Sequence, residues 1–304
     1  MYYFIVNPSS RSGKGLRIWN RVEEVLREKN VEYEVIMLDG PGDAARAAAS
    51  LASRTPCTAV LLGGDGTVNE FINGLTSFEG ITFGYIPTGS GNDFGRGMHL
   101  PSRPMDALEI ILSPDRTRDV NIGCVSSGDR KRYFAVSSGI GYDAAVCYAV
   151  ENAPGKQAMN ALHLGKFVYL FHALRLLLTI DPFEVKLVTD EGELVTYDKV
   201  WFAAAMNTKY EGGGFMFCPK ASPVDNYLDL ILAEGISRRK ILFLLPAAFF
   251  GRHAGKKGIH ITRCRRAVFR ADRDCCIHTD GEHFGFENKI TFEVLPQKLN
   301  MIVD

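Results

Sequence analysis

Several short stretches of this 304-residue chain carry the residues most able to do chemistry. The most telling is Gly63-Gly64-Asp65-Gly66-Thr67, which follows the apolar run Ala59, Val60, Leu61 and Leu62. Such a run reads as a parallel strand buried on both faces. A helix is expected from Val68, with Thr67 as its N-cap and Glu70 completing a capping box. Glycines at a strand-to-helix turn let the backbone close on a ligand, and the amides and dipole of the helix start favour a phosphate. A carboxylate there repels a polyphosphate unless a cation bridges the two. Asp65 therefore points to Mg²⁺ or to a hydrogen bond with a ribose hydroxyl. The plain alternative is a tight turn with a solvated aspartate.

Two further loops offer the same chemistry. Asn7-Pro8-Ser9-Ser10-Arg11-Ser12-Gly13-Lys14-Gly15 follows the first apolar run, and its Asn7, Ser9, Ser12 and Lys14 can reach phosphate oxygens. It is not a Walker A loop: Pro8 stands where the first glycine belongs, and Gly15 where Ser or Thr belongs. Pro87-Thr88-Gly89-Ser90-Gly91-Asn92-Asp93 follows the fourth apolar run. Either loop alone could be a surface turn with a cap. Two of them meeting Gly63–Thr67 at one sheet edge make a nucleotide cradle. Downstream, Gly139–Asp143 and Gly212–Phe215 read equally as bulges or as close backbone approaches to a ligand. Asp280-Gly281-Glu282 reads as a hairpin turn, or as a turn presenting Glu282 to accept a proton from an attacking hydroxyl.

The elements that must position these residues fall into two patterns. Over residues 1–120 strands and helices alternate: Tyr2–Val6, a helix through Ile18, Val22 and Leu26, Tyr33–Leu38, Asp43–Ser53, Ala59–Leu62, the helix after Thr67, Thr82–Ile86 and a helix near Met105–Leu112. Alternation predicts an α/β domain, a parallel sheet with flanking helices and ligands at the carboxyl ends of the strands. From residue 121 to 294 strand-like runs dominate, including Asp119–Val125, Arg132–Ser137 and several short ones between Ile259 and Val294. They predict a mostly antiparallel domain interrupted by two helices, near Asn160–Thr179 and Arg238–Phe250, with a cleft between the domains. Residues 295–304 are a segment that can return to the first domain.

Composition excludes some partners. The charge balances at 35 basic and 35 acidic residues, so no overall field draws the chain to nucleic acid. Seven cysteines without a C-x-x-C pair suit a reduced cytoplasmic protein, and the adjacent Cys275 and Cys276 suit opposite faces of a strand. No run is long enough to cross a bilayer, and the N-terminus lacks the features of a signal peptide.

Taken in order, these motifs resemble the diacylglycerol kinase catalytic-domain family, which includes bacterial lipid kinases and sphingosine and ceramide kinases. The resemblance runs from Asn7–Gly15 through Gly63–Gly74 and Pro87–Arg96 to Gly139–Asp143, Gly212–Phe215, Pro219–Asp229 and Asp280–Glu282. Gly-Gly-Asp-Gly-Thr alone is shared with NAD kinases and phosphofructokinases. The Asn69-Glu70 continuation, the Gly-Ser-Gly-Asn-Asp-Phe loop and Asp280-Gly281-Glu282 select the lipid branch.

The resemblance implies an NAD-kinase-like nucleotide domain and ATP-dependent phosphoryl transfer to a lipid hydroxyl, diacylglycerol first. Phosphatidylglycerol, a sphingoid base, an NAD kinase activity or a non-catalytic regulator are the alternatives. ATP and Mg²⁺ are the implied cofactors. Asp65 and Glu282 match the family's catalytic positions. Asn7, Ser9, Ser12, Lys14, Gly63, Gly64, Gly66, Thr67, Glu70, Thr88, Gly89, Ser90, Gly91 and Asn92 fall on its nucleotide segments. The family's structural-metal motif is broken by Val224 and Asn226, leaving Asp225 and Asp229 as candidate ligands. A homodimer is suggested by related enzymes.

Two segments suit contact with the inner membrane surface, where a lipid substrate lies. They are His163–Thr179, with Phe167, Phe171 and Leu178, and Ile241–Phe250, bracketed by Arg238-Arg239-Lys240 and by Arg252, Lys256 and Lys257. A core-facing helix with solvated caps is the commoner arrangement.

Overall fold

Apolar strands that each stop at a polar or glycine loop build the N-terminal unit, formed by residues 1–122 and 295–304. The computed structural model describes residues 1–153 and 165–304, with side chains in the second stretch from residue 170. Strands β1 (Tyr2–Val6), β2 (Tyr33–Met37), β3 (Cys57–Gly63) and β4 (Ile81–Pro87) pair in parallel, in the order β2-β1-β3-β4. The register places Val6 opposite Leu62 and Gly63 opposite Pro87. The loops after β1, β3 and β4 therefore leave the sheet at one edge, which is what a shared site requires.

Helices α1 (Ser10–Glu28), α2 (Asp43–Ser50), α3 (Asp65–Gly74), α4 (Asp93–Gly97) and α5 (Pro104–Leu112) accompany these strands. Helical spacing puts Trp19, Val22 and Leu26 of α1 on one face. They pack on Phe4, Val60, Ile86 and Leu108, all buried. Helices α2 and α3 approach closely where Gly74 meets Ala45: a Cβ at 74 would lie 2.3 Å from the Ala45 carbonyl oxygen. Asn300 and Met301 of the C-terminal strand add to β4 in parallel.

The second unit, residues 123–294, holds the end of β5 (Arg116–Ser127), then β6 (Arg130–Phe134), β7 (Ser137–Gly141), α6 (Tyr142–Glu151), α7 (Gly165–Thr179), β8 (Phe183–Thr189), β9 (Leu194–Met206) and β10 (Leu228–Glu234). Helix α8 (Arg238–Phe249), β11 (Ile259–Cys264), β12 (Arg266–Thr279) and most of β13 (Glu282–Val303) complete it. Its strands run β11-β10-β9-β7-β12-β13, with antiparallel pairing throughout, and β8 pairs with both β9 and β12. Phe134, Ile140, Phe183, Leu230, Phe269, Ile277 and Phe292 form its buried core.

The details depart from expectation in three places. The expected strand Arg132–Ser137 is split between β6 and β7, because the Asp280 carboxylate takes the N–H groups of Ala135, Val136 and Ser137 from any ladder. The several short strands expected after Ile259 are three, of 6, 14 and 22 residues. Helix α6 was hidden behind Gly139-Ile140-Gly141, a strand end that reads as a bulge. Of the apolar segment His163–Thr179, residues 163–164 and the side chains of Lys166 and Phe167 lie outside the described residues. No described helix is long and apolar enough to cross a membrane.

Candidate active site

Glycine lets the loops of the N-terminal unit interlock. A Cβ on Gly89 would lie 2.6 Å from the Gly64 Cα, and one on Gly64 would lie 3.1 Å from the Gly89 Cα. The two backbones thus touch where any side chain would separate them. The Thr88 N–H donates to the Gly63 carbonyl at 2.8 Å, and the buried Thr88 hydroxyl meets Ser10 Oγ at 2.8 Å. Asn7 donates to the Thr67 hydroxyl at 3.1 Å and accepts from the Ser9 N–H at 3.1 Å. All three loops are hydrogen-bonded together at the sheet edge.

Asp65 is the clamp. One carboxylate oxygen accepts from the Phe94 N–H at 3.1 Å and the other from the Asp93 N–H at 3.0 Å. Burial pushes this carboxyl above the ordinary aspartate range, opposed by those two amides and by Arg96, which itself pairs with Asp93. The first loop has an unusual backbone: Arg11, Ser12 and Gly13 are all left-handed, and Gly15 leaves no room for a Cβ, which would lie 2.2 Å from the Asn7 carbonyl oxygen. Lys14 follows this turn, half-buried, while Ser9 and Ser12 are exposed. Asn92, also left-handed, donates to the Gly89 carbonyl, and its Oδ1 is buried without a partner. Gly66 and Thr67 lie in the first turn of α3, and Ser90 and Gly91 sit in the loop before α4. A cavity of about 550 Å³ lined by Phe78, Gly80, Ile81 and Lys298 lies at the amino end of β4, away from these loops.

In the C-terminal unit, Asp280 and Gly281 form the two-residue turn between β12 and β13, both with positive φ, the mark of a type I′ hairpin. Glu282 opens β13 and is paired with Arg132 of β6. The Asp280 carboxylate accepts three backbone N–H groups at 2.9 Å. Behind the turn, His278 Nδ1 accepts from the Gly281 N–H at 3.1 Å. Its Nε2 lies 3.2 Å from Asp143 and 3.1 Å from Glu211. Burial disfavours a charge on this ring, while Glu211 and Asp143 draw a proton to Nε2. Burial likewise pushes Asp143 up.

Residues 1–125 match the family model of the diacylglycerol kinase catalytic domain, and residues 135–303 match the YegS C-terminal NAD kinase beta sandwich-like domain. The chain is 30% identical over 292 residues to the "Putative lipid kinase YtlR" of Bacillus subtilis, covering 93% of this chain and 94% of that one. This chain belongs to the diacylglycerol kinase family of lipid kinases. A diacylglycerol kinase of Mycobacterium tuberculosis is 27% identical, over 86% of this kinase and 82% of its own length. The crystal structure of a "putative diacylglycerol kinase" from Bacillus anthracis superposes on the whole kinase with a TM-score of 0.80, covering 95% of that chain at 22% identity. An NAD kinase from Archaeoglobus fulgidus in complex with ATP shares the fold more distantly, with a TM-score of 0.55 at 16% identity, over 99% of the kinase and 93% of that chain.

Two expected roles in the kinase are corrected. Helix α3 begins at Asp65 with Gly64 as its N-cap, so Thr67 is not the cap. Glu70 does not close a capping box. It reaches across to accept from the Gly42 N–H at 2.9 Å and serves an orphan amide at the start of α2. At the candidate metal pair, the Arg263 guanidinium sits on Asp225, which also accepts from the Tyr227 N–H at 3.0 Å. Asp229 is buried, its Oδ2 unpartnered and its pKa pushed by burial to about 6. Asp229 could satisfy a cation, but Arg263 already supplies positive charge to Asp225. Sequence reasoning missed Ser10, Asp143, Glu211, His278 and Asp280 as parts of the two sites. Ser10, Asp143 and Asp280 stood inside quoted motifs, whereas Glu211 and His278 stood outside them and gain their roles only through partners far along the chain.

Proposed function

We propose that the kinase transfers the γ-phosphate of ATP to a lipid hydroxyl, with diacylglycerol as the acceptor and phosphatidic acid as the product. The observation that carries this reading is the backbone contact between Gly64 and Gly89. It gathers the amide-rich loops after β3 and β4 into one anion cradle at the start of α3. Asn7, Ser9, Ser12 and Lys14 add donors from the loop after β1. Asp65 and the unpartnered Oδ1 of Asn92 are hard oxygen donors that fit Mg²⁺, which when bound neutralises phosphate charge. Glu282 accepts the proton of the acceptor hydroxyl as its oxygen bonds to the γ-phosphorus and the bond to the β-phosphate oxygen breaks. Arg132 keeps that carboxylate in one orientation.

The acceptor reaches the enzyme at the inner membrane surface in this reading. Phe171 and Leu178 of α7 are exposed, as are Phe243 of α8 and Phe250 just after it, with Phe243 79% accessible. The other faces of both helices pack under Trp201. Arg239, Lys256 and Lys257 are exposed and bracket the α8 segment in sequence, which suits an anionic bilayer. Arg238 is committed elsewhere, to the carbonyls of Leu177 and Ile180, to Asp181 and to the Trp201 ring. Neutralising Arg239, Lys256 and Lys257 together should weaken sedimentation with anionic vesicles; unchanged binding would remove this docking surface from the reading.

The deciding assay is transfer of labelled γ-phosphate from ATP, with Mg²⁺, to diacylglycerol, phosphatidylglycerol, sphingosine or ceramide in mixed micelles, with NAD as a soluble control. Labelled phosphatidic acid is expected, and Asp65→Asn should abolish it. Another labelled lipid would rename the acceptor, and labelled NADP would overturn the lipid reading.

A further inference from the structure

Three glycine-bearing segments of the C-terminal unit end in one buried cluster. Asp143 lies at the start of α6, Glu211 opens a tight loop whose tip is Gly212–Gly214, and His278 lies near the end of β12. Their ligand atoms all lie within 4.8 Å of one another, and His278 is fully buried. The glycines make room for this. A Cβ on Gly139 would lie 2.4 Å from Asp143 Oδ2 and 2.7 Å from His278 Nε2, so only glycine admits the pair. Gly212, Gly213 and Gly214 all take positive φ, which closes the loop on reciprocal Glu211–Phe215 backbone bonds of 2.9 Å.

A histidine between two carboxylates is also a donor set for a divalent cation. The far side of the ring decides against that use. An imidazole ligating through Nε2 leaves that nitrogen bare and donates its Nδ1–H to an acceptor. Here Nδ1 faces the Gly281 N–H at 3.1 Å, so Nδ1 holds the lone pair and the proton sits on Nε2, directed at Asp143 and Glu211. Glu211 Oε2 is buried without a partner, so the one contact this carboxylate makes among the described residues is through Oε1 to the His278 ring.

We propose that His278 is a positioning residue for Glu282: Asp143 and Glu211 fix its Nε2–H tautomer, and its Nδ1 then latches the Gly281 amide of the turn that carries Glu282. This rests on the reading of Glu282 as the proton acceptor. Asp280 anchors the turn through its side chain and His278 through the next amide, so losing His278 leaves the hairpin standing but lets Glu282 drift. Asn can place an acceptor oxygen near the position of Nδ1; Leu cannot.

The test combines kinetics with a direct look at the ring. His278→Leu should lower kcat about 10- to 100-fold with little change in KM for ATP, and His278→Asn should recover most of that loss. In the Glu282→Gln background His278→Leu should cost nothing further. Unchanged kcat in His278→Leu, or losses that multiply in the double variant, would overturn the proposal. Nitrogen-15 shifts of the histidine ring in the labelled wild-type protein supply the readout that needs neither activity nor a folded variant. An unprotonated Nδ1 with a proton on Nε2 is expected. A protonated Nδ1, or Zn²⁺ or Mn²⁺ retained on Nε2 after chelator-free purification, would overturn it. Full activity in Glu282→Gln with the expected ring tautomer would instead refute the proton-acceptor role while leaving the latch intact.

Discussion

The two candidate sites of this kinase are built from different materials. In the N-terminal unit, loops come together because glycines let backbones touch, as at Gly64 and Gly89, and one carboxylate, Asp65, ties down the amides of Asp93 and Phe94. In the C-terminal unit, the Asp280–Glu282 turn is held by side chains reaching across the fold. Asp280 binds amides 143 to 145 residues away, and His278 meets Asp143 across 135 residues. A backbone-built site fails when atoms are added. A charge-built site fails when partners are removed, and it fails by degrees.

The sharpest way to break the comparison is Gly89→Ala, which forces a methyl group to 2.6 Å from the Gly64 Cα. Loss of at least about 100-fold in kcat/KM for ATP is expected, since small displacements of positioning groups have effects of that size. A near-normal value would show that the loops need not touch. Next comes Asp280→Ala, which leaves three backbone N–H groups without their acceptor. A destabilisation of about 3 kcal/mol is expected, or roughly 5 °C in the melting temperature of a chain this size. Calorimetry showing a fall of under about 2 °C would mean the turn stands without its anchor. The smallest effect should come from Arg132→Gln. Its pair with Glu282 is partly exposed, so stability should change by less than about 1 kcal/mol. Steady-state kinetics should show kcat falling only a few-fold, because Glu282 keeps its place on β13; a loss as large as that of Gly89→Ala would make Arg132 a full member of the site.

The same contrast explains what could be read from the sequence. The three small-residue loops of the N-terminal unit were legible because each is local: an apolar strand, a small-residue turn and a helix start lie within about ten residues of one another. Register then brings them together without any further signal, since Gly63 and Pro87 are paired neighbours. The role of Glu70 was misread for the opposite reason. Its spacing from Thr67 satisfied a local rule, and only the fold shows that the Gly42 amide needs it more. Gly139 and Gly212–Gly214 were visible as glycines but not as the room made for Asp143 and His278 or the loop made for Glu211. Helix α6 was hidden likewise, because Gly141, which ends β7 and caps the helix, reads as a bulge.

The most direct test of the central claim is to measure ATP affinity by calorimetry and single-turnover phosphate transfer to diacylglycerol micelles in one preparation of Glu282→Gln. An ATP Kd within about twofold of wild type is expected, with a transfer rate lowered about 10²- to 10⁴-fold, the range for losing a general base. A transfer rate close to wild type with ATP bound normally would contradict it.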